Sequence, residues 1–161
     1  MKQILILIRN ARGTATLEFA FASLFLFSTI MVGLDFGYNV LQKQKLGSAV
    51  QQAAILAYNQ QTGSDTAAIK NYVIAAAGTQ ISPSVAITCN GTSTCGDGKC
   101  SCVNGTGFVA AGSCNATCAG SNAISGNYMK IVATSTYKAV IVPDKWLGGT
   151  TMTSTAVLRL Q

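Results

Sequence analysis

Gly13-Thr14-Ala15-Thr16-Leu17-Glu18-Phe19 opens an uncharged apolar run, Phe19 to Leu34, and its reading decides how the rest of the chain is understood. A basic leader precedes it, with Lys2, Arg9 and Arg12 and no acid. A carboxylate then stands at the mouth of the apolar run, where an ionisable group is costly in lipid and calls for a partner. Cleavage after Gly13 would make Glu18 the fifth residue of the mature chain. From Leu17 to Tyr38 the stretch is about 33 Å as a helix, long enough to cross a bilayer once. Arg9 and Arg12 predict an N-terminus held in the cytoplasm and a head on the other side. An ordinary secretory signal fits less well. The run is too long, it is separated from the basic residues by residues 13–18, and Ala20 and Ala22 stand at its start rather than its end.

Beyond Asp35 the helical pattern continues in another form. Leu46, Ala49, Val50, Ala53, Ala54 and Ala57 recur at three- and four-residue intervals, so residues 15–61 read as one helix, apolar first and amphipathic second. Gly33, Gly37 and Gly47 are points for a bend or a close approach, and Gly63 is the expected stop. Ser64 or Asp65 caps a second helix, Thr66 to Ala77, ended by Gly78, with Ile69, Tyr72, Val73 and Ala76 as its buried face. Strands follow at Val85–Cys89, Tyr128–Tyr137, Ala139–Val142 and Thr150–Leu160, rich in Val, Ile, Thr and Tyr. In the last, Met152, Ser154, Ala156, Leu158 and Leu160 share one face. Pro143-Asp144-Lys145 and Gly148-Gly149 bracket the connection before it. Residues 90–126 read as loops of Gly, Ser, Thr and Asn.

The expected fold is therefore α+β: a long N-terminal helix, a short second helix, and a small antiparallel β-sheet head with a disulfide-bonded loop region. Its parts are a leader (1–13), the membrane-spanning half of the helix (14–38), the amphipathic half with the short helix (39–78), and a β-rich extracytoplasmic head (79–161) with cysteine-rich loops at 89–118.

Six cysteines, Cys89, Cys95, Cys100, Cys102, Cys114 and Cys118, follow an export-type anchor and read as three disulfides. Zinc is disfavoured: the chain has no His and no C-x-x-C pair. Fifteen pairings are open, and only a direct Cys100–Cys102 bridge is set aside as too small a ring. Asn90-Gly91-Thr92, Asn104-Gly105-Thr106 and Asn115-Ala116-Thr117 match the glycosylation sequon, yet Asn-Gly pairs are ordinary turn residues and are read as turns.

The formal charge of +6 does not mark a nucleic-acid binder. Three of the cations lie in the leader, and Lys43, Lys45, Lys70, Lys99, Lys130, Lys138, Lys145 and Arg159 are scattered. No catalytic constellation is visible either. Without His, a Ser-His-Asp or Cys-His arrangement is impossible. Glu18, Asp35, Asp65, Asp97 and Asp144 show no paired spacing, and no phosphate-binding glycine loop occurs. Neither an enzyme, nor a cofactor, nor a metal site is expected.

The order of basic leader, Gly13, Glu18, long apolar helix and disulfide-bearing head resembles type IV pilin-like proteins. Arg12-Gly13-Thr14-Ala15-Thr16-Leu17-Glu18-Phe19-Ala20 followed by Gly33-Leu34-Asp35-Phe36-Gly37 resembles the TadE family in particular. The tail Thr153-Ser154-Thr155-Ala156-Val157-Leu158-Arg159 is similar to the end of TadE/TadG-like proteins. The resemblance implies a minor pseudopilin of the tight-adherence (Flp) pilus system. A prepilin peptidase would cut between Gly13 and Thr14, and Glu18 would take the place of the pilin glutamate. The implied partners are that peptidase, other pilin and pseudopilin subunits, the inner-membrane assembly platform and the lipid bilayer. Two positions depart from the pattern: Phe19 stands where such pseudopilins often have Tyr, and Thr14 where many pilins have Phe. A major subunit of another type IV pilus and a plain single-pass anchored binding domain are the alternative readings.

Overall fold

A computed structural model of the chain describes residues 11–60, 65–92, 95, 98–105, 107–120, 122–143, 145 and 150–160, with side chains from Thr14 onward. The leader to residue 10, the expected stop at Gly63, the alternative cap Ser64 and the Gly148-Gly149 pair lie outside the described residues. The elements in order are helices α1 (Ala11–Asn59) and α2 (Thr66–Ala77) and strands β1 (Ser84–Cys89), β2 (Ser101–Asn104), β3 (Gly107–Ala110), β4 (Tyr128–Thr136) and β5 (Thr151–Arg159). The architecture is α+β, as the residue pattern implies. Two compact units are present, one of residues 1–39 with 139–149, the other of residues 40–138 with 150–161.

Helix α1 runs unbroken because nothing in it stops a helix: the chain's two prolines, Pro83 and Pro143, lie well beyond it. Its second half, in the larger unit, buries Leu46, Ala49, Val50, Ala53 and Ala57. This is the stripe that the spacing predicts. Gly47 faces Ser154, whose Oγ would stand 4.0 Å from an added Cβ, while Gly33 and Gly37 face open space.

Helix α2 starts at the expected cap. The Asp65 carboxylate accepts from the amides of Ala67 (3.0 Å) and Ala68 (3.2 Å), and Gly78 closes the helix at φ +85°. Asp65→Ala should therefore lower stability by about 1 kcal/mol, the usual worth of such a cap, read as a shifted denaturation midpoint of the full chain in detergent. The buried stripe of α2 is Ile69, Val73 and Ala77, narrower than expected. Tyr72 lies at the surface, where its hydroxyl donates to Gln52 Oε1 on α1 at 3.0 Å, and Ala76 is exposed. Small alanines let the helix sit on a single i, i+4, i+8 ridge, so the second ridge stays in solvent.

Strands β1, β4 and β5 form an antiparallel sheet with β4 in the centre. The register places Val85 opposite Ala133, Ile87 opposite Ile131 and Cys89 opposite Met129. On the other side Met129 faces Leu158, Ile131 faces Ala156, and Ser135 faces Met152. All of these lie on one face, and Met129, Ile131, Ala133 and Met152 are buried. Ser135 is the polar member of that face, and its hydroxyl donates to the Ile81 carbonyl, so it carries no unmet hydrogen bond into the core.

Residues 90–126 are more ordered than their composition suggests. Cys89-Asn90-Gly91-Thr92 closes a two-residue hairpin with reciprocal backbone bonds of 2.7 and 2.8 Å. Asn90 (φ 52°) and Gly91 (φ 82°) both take the left-handed conformation such a turn requires. Strands β2 and β3 form a second hairpin, closed by the Asn104–Gly107 pair with Gly105 in its turn, short enough to escape a composition-based reading. Three disulfides link Cys89 to Cys95, Cys100 to Cys114 and Cys102 to Cys118, and no cysteine is left free. Side-chain bonds tie this region to the sheet. Asn90 Oδ1 accepts from the Tyr128 amide at the start of β4 (2.9 Å) while its Nδ2 donates to the Lys99 carbonyl (2.7 Å), and Arg159 Nη2 on β5 donates to Asn115 Oδ1 (2.8 Å). Asn90 and Asn115 are thus engaged as turn and anchoring residues.

The stretch Ala139–Val142 is not a strand. Its Val and Ile content suits a sheet, but its backbone amides have another acceptor.

Candidate assembly and membrane site

The first half of α1 is exposed on every side. Leu17, Phe19, Phe21, Leu24, Phe25, Leu26 and Phe27 are each 60–75% exposed. Leaving such side chains in water forfeits up to about 1.5–3 kcal/mol apiece, and together that is comparable to the whole stability of an ordinary domain, about 5–15 kcal/mol. A helix apolar all round needs a bilayer or a packed protein environment. From Thr14 on, α1 is the one described helix long and apolar enough to cross a membrane, with none of its most apolar window buried. Three of its hydroxyls bond within the helix: Ser23 donates to the Ala20 carbonyl (3.0 Å), and Ser28 and Thr29 both donate to that of Phe25 (2.8 and 2.9 Å). That is the arrangement lipid surroundings demand of a polar side chain.

Gly13 lies in the opening turns of α1, and Thr14 and Glu18 follow in the same helix with their side chains exposed. Thr14 and Glu18 are one helical turn apart. The six cysteines lie in the other compact unit and serve as bridges.

A second carboxylate escaped the sequence reading. Asp35 is 4% exposed, although it follows sixteen uncharged residues on the same helix. Its Oδ1 accepts from the Val140 amide (3.3 Å), and its Oδ2 accepts from Ile141 (3.1 Å) and Val142 (2.9 Å). Three successive N–H groups converging on one carboxylate form an anion-binding concavity, and hydrogen bonds to an ionised acceptor are the strong kind. The series ends at Pro143, which has no N–H to give. One turn further, Asn39 is 4% exposed and its Nδ2 finds no acceptor. The available signal was a lone Asp in an otherwise apolar helix, followed far along the chain by an apolar tetrad ending in proline.

Among the described residues no group of three His, Cys, Asp or Glu could hold a metal ion. A shallow groove beside β2 and β3 is lined by Cys102, Val109, Ala116, Thr117, Cys118 and Ser125 among others. These offer backbone, hydroxyl and disulfide groups, with no titratable side chain.

Residues 13–54 match the family model for TadE-like protein. The TadE-like segment begins at Gly13, takes in Glu18, the whole exposed apolar stretch and Asp35, and ends within the amphipathic half of α1. It covers about a quarter of the chain, and the disulfide-bearing head lies outside it. No curated protein and no solved structure matches the chain. A TadE-like segment on a single apolar N-terminal helix fits a membrane-anchored, pilus-associated protein.

Proposed function

We propose that this chain is a minor pseudopilin of a tight-adherence pilus, a building block that does no chemistry of its own. The observation that carries the reading is that the TadE-like match opens at Gly13 and runs through a helix exposed on all sides. In this reading a prepilin peptidase cuts between Gly13 and Thr14, with the leader cytoplasmic and the head outside the inner membrane. Cleavage creates an ammonium on Thr14. In a staggered array of helices, that ammonium on one subunit meets the Glu18 carboxylate of the next. A carboxylate with an opposite charge at hand is far less costly in an apolar setting than one alone, so the pair would set the register of helix packing.

The test is co-expression with a tight-adherence prepilin peptidase, followed by intact-mass measurement and N-terminal sequencing. A mature chain beginning at Thr14 is expected, and Glu18→Ala should be cut equally well yet fail to co-purify with pilus subunits. An uncut Met1 terminus would instead favour a plain single-pass anchored domain, and normal assembly of the Glu18→Ala chain would remove Glu18 from the mechanism.

A further inference from the structure

We propose that the Ala139–Pro143 loop is a second membrane contact, in which Val140 and Ile141 enter the interfacial layer of the bilayer at the outer end of the α1 span. The inference rests on the reading of α1 as a membrane anchor and adds a contact that the helix alone does not predict.

Position comes first. The loop and the apolar half of α1 belong to one compact unit, and the three amide bonds to Asp35 fix the loop beside residue 35 of the helix. From Thr14 to Leu34 the helix rises about 30 Å, which is the thickness of the hydrocarbon core. Residue 35 therefore falls at its outer boundary. Phe36 and Tyr38, about two-fifths exposed, mark the same level, where aromatic side chains anchor helices to the membrane–water interface.

Surface chemistry agrees with that position. Val140 is 83% exposed and Ile141 51% exposed, whereas Val142 is 4% exposed. The loop turns one apolar side chain inward and presents two adjacent ones outward, next to a helix that is itself apolar and exposed. Water is a poor environment for such a pair. The backbone is also prepared: irregular chain near lipid is tolerated only where its N–H groups have partners, and Asp35 supplies them for residues 140, 141 and 142. In sequence the tip is bracketed by Lys138 and Lys145, both exposed, whose ammonium groups suit lipid phosphates, with Asp144 beside the second. The same carboxylate thus shapes the loop and lets it lie against the membrane.

The test uses the full chain in phosphatidylcholine vesicles, with the single native tryptophan removed (Trp146→Phe) and one tryptophan introduced at a time. Ile141→Trp should show blue-shifted emission that is quenched more by lipids brominated near the headgroup end of the acyl chain than by lipids brominated near its tip. Phe25→Trp, in the middle of the span, should show the opposite preference. Val109→Trp, on the β2–β3 hairpin, should not respond to either lipid. If Ile141→Trp behaves like Val109→Trp while Phe25→Trp is quenched, the loop proposal fails and the anchor reading stands. If Phe25→Trp is also unquenched, both fail. Shielding of Ile141→Trp that follows protein density and not lipid bromination would assign the surface to a second copy of the chain and overturn the proposal.

Discussion

Asp35→Ala is expected to free the amides of Val140, Ile141 and Val142 and to release the loop from the helix. Each hydrogen bond to a charged group contributes about 1.5–3 kcal/mol. The three share one carboxylate and are not independent, so a total of about 3 kcal/mol is expected, the upper value for a single bond of this kind. By the rule that 1.4 kcal/mol is tenfold, amide exchange at these three positions should accelerate by about a hundredfold. Hydrogen exchange of the full chain in micelles reads this directly. Asp35→Asn keeps the volume and one acceptor oxygen but places an NH2 against the donors, so its effect should be intermediate. Unchanged exchange in the alanine variant would mean that the loop is held by something other than Asp35.

Removing the Cys102–Cys118 bridge by paired serine substitution is expected to have the next largest effect. A two-stranded hairpin is marginal in water on its own, and β2–β3 is a separate sheet of four-residue strands. The bridge closes a loop of sequence separation 16, for which a loss of about 2–4 kcal/mol is typical. Exchange protection should vanish from the β2–β3 ladder and persist in the β4–β5 ladder, whose register is set by its own buried face. Loss of protection in both ladders together would show that the hairpin and the main sheet unfold as one unit. Substituting both cysteines leaves no stray thiol to form a wrong bridge.

Much of this fold was legible in the sequence because its signals are local. The α1 stripe at Leu46, Ala49, Val50, Ala53 and Ala57, the Asp65 cap and the Gly78 stop all express short-range rules. So does the alternation of β5, and each lies where the residues place it. The pairing of six cysteines was not legible, because proximity in a loop region depends on turns at Asn90, Gly105 and Asn115 that only the folded backbone displays. Ala139–Val142 was misread for a definite reason. Val and Ile favour a pleated sheet only when a neighbouring strand accepts their amides, and here a side chain does so instead. The Asp35 clasp left the faintest trace. Its donors are main-chain groups, which every residue but proline carries, so residue identity scarcely announces it. The proposed roles of Gly13, Thr14 and Glu18 are a matter of contact with other molecules, which one chain's own packing does not express.

The Asp35 bonds join residues 105 to 107 positions apart, while the disulfides span 6 to 16. Loop-closure entropy grows with separation, so the clasp is the more costly closure, and its donors follow β4 in the chain. Until they are made, a bare carboxylate stands on the helix at the edge of its apolar span. The clasp is therefore complete only once the chain has been made as far as Val142, so Asp35 waits on the helix for partners more than a hundred residues further on.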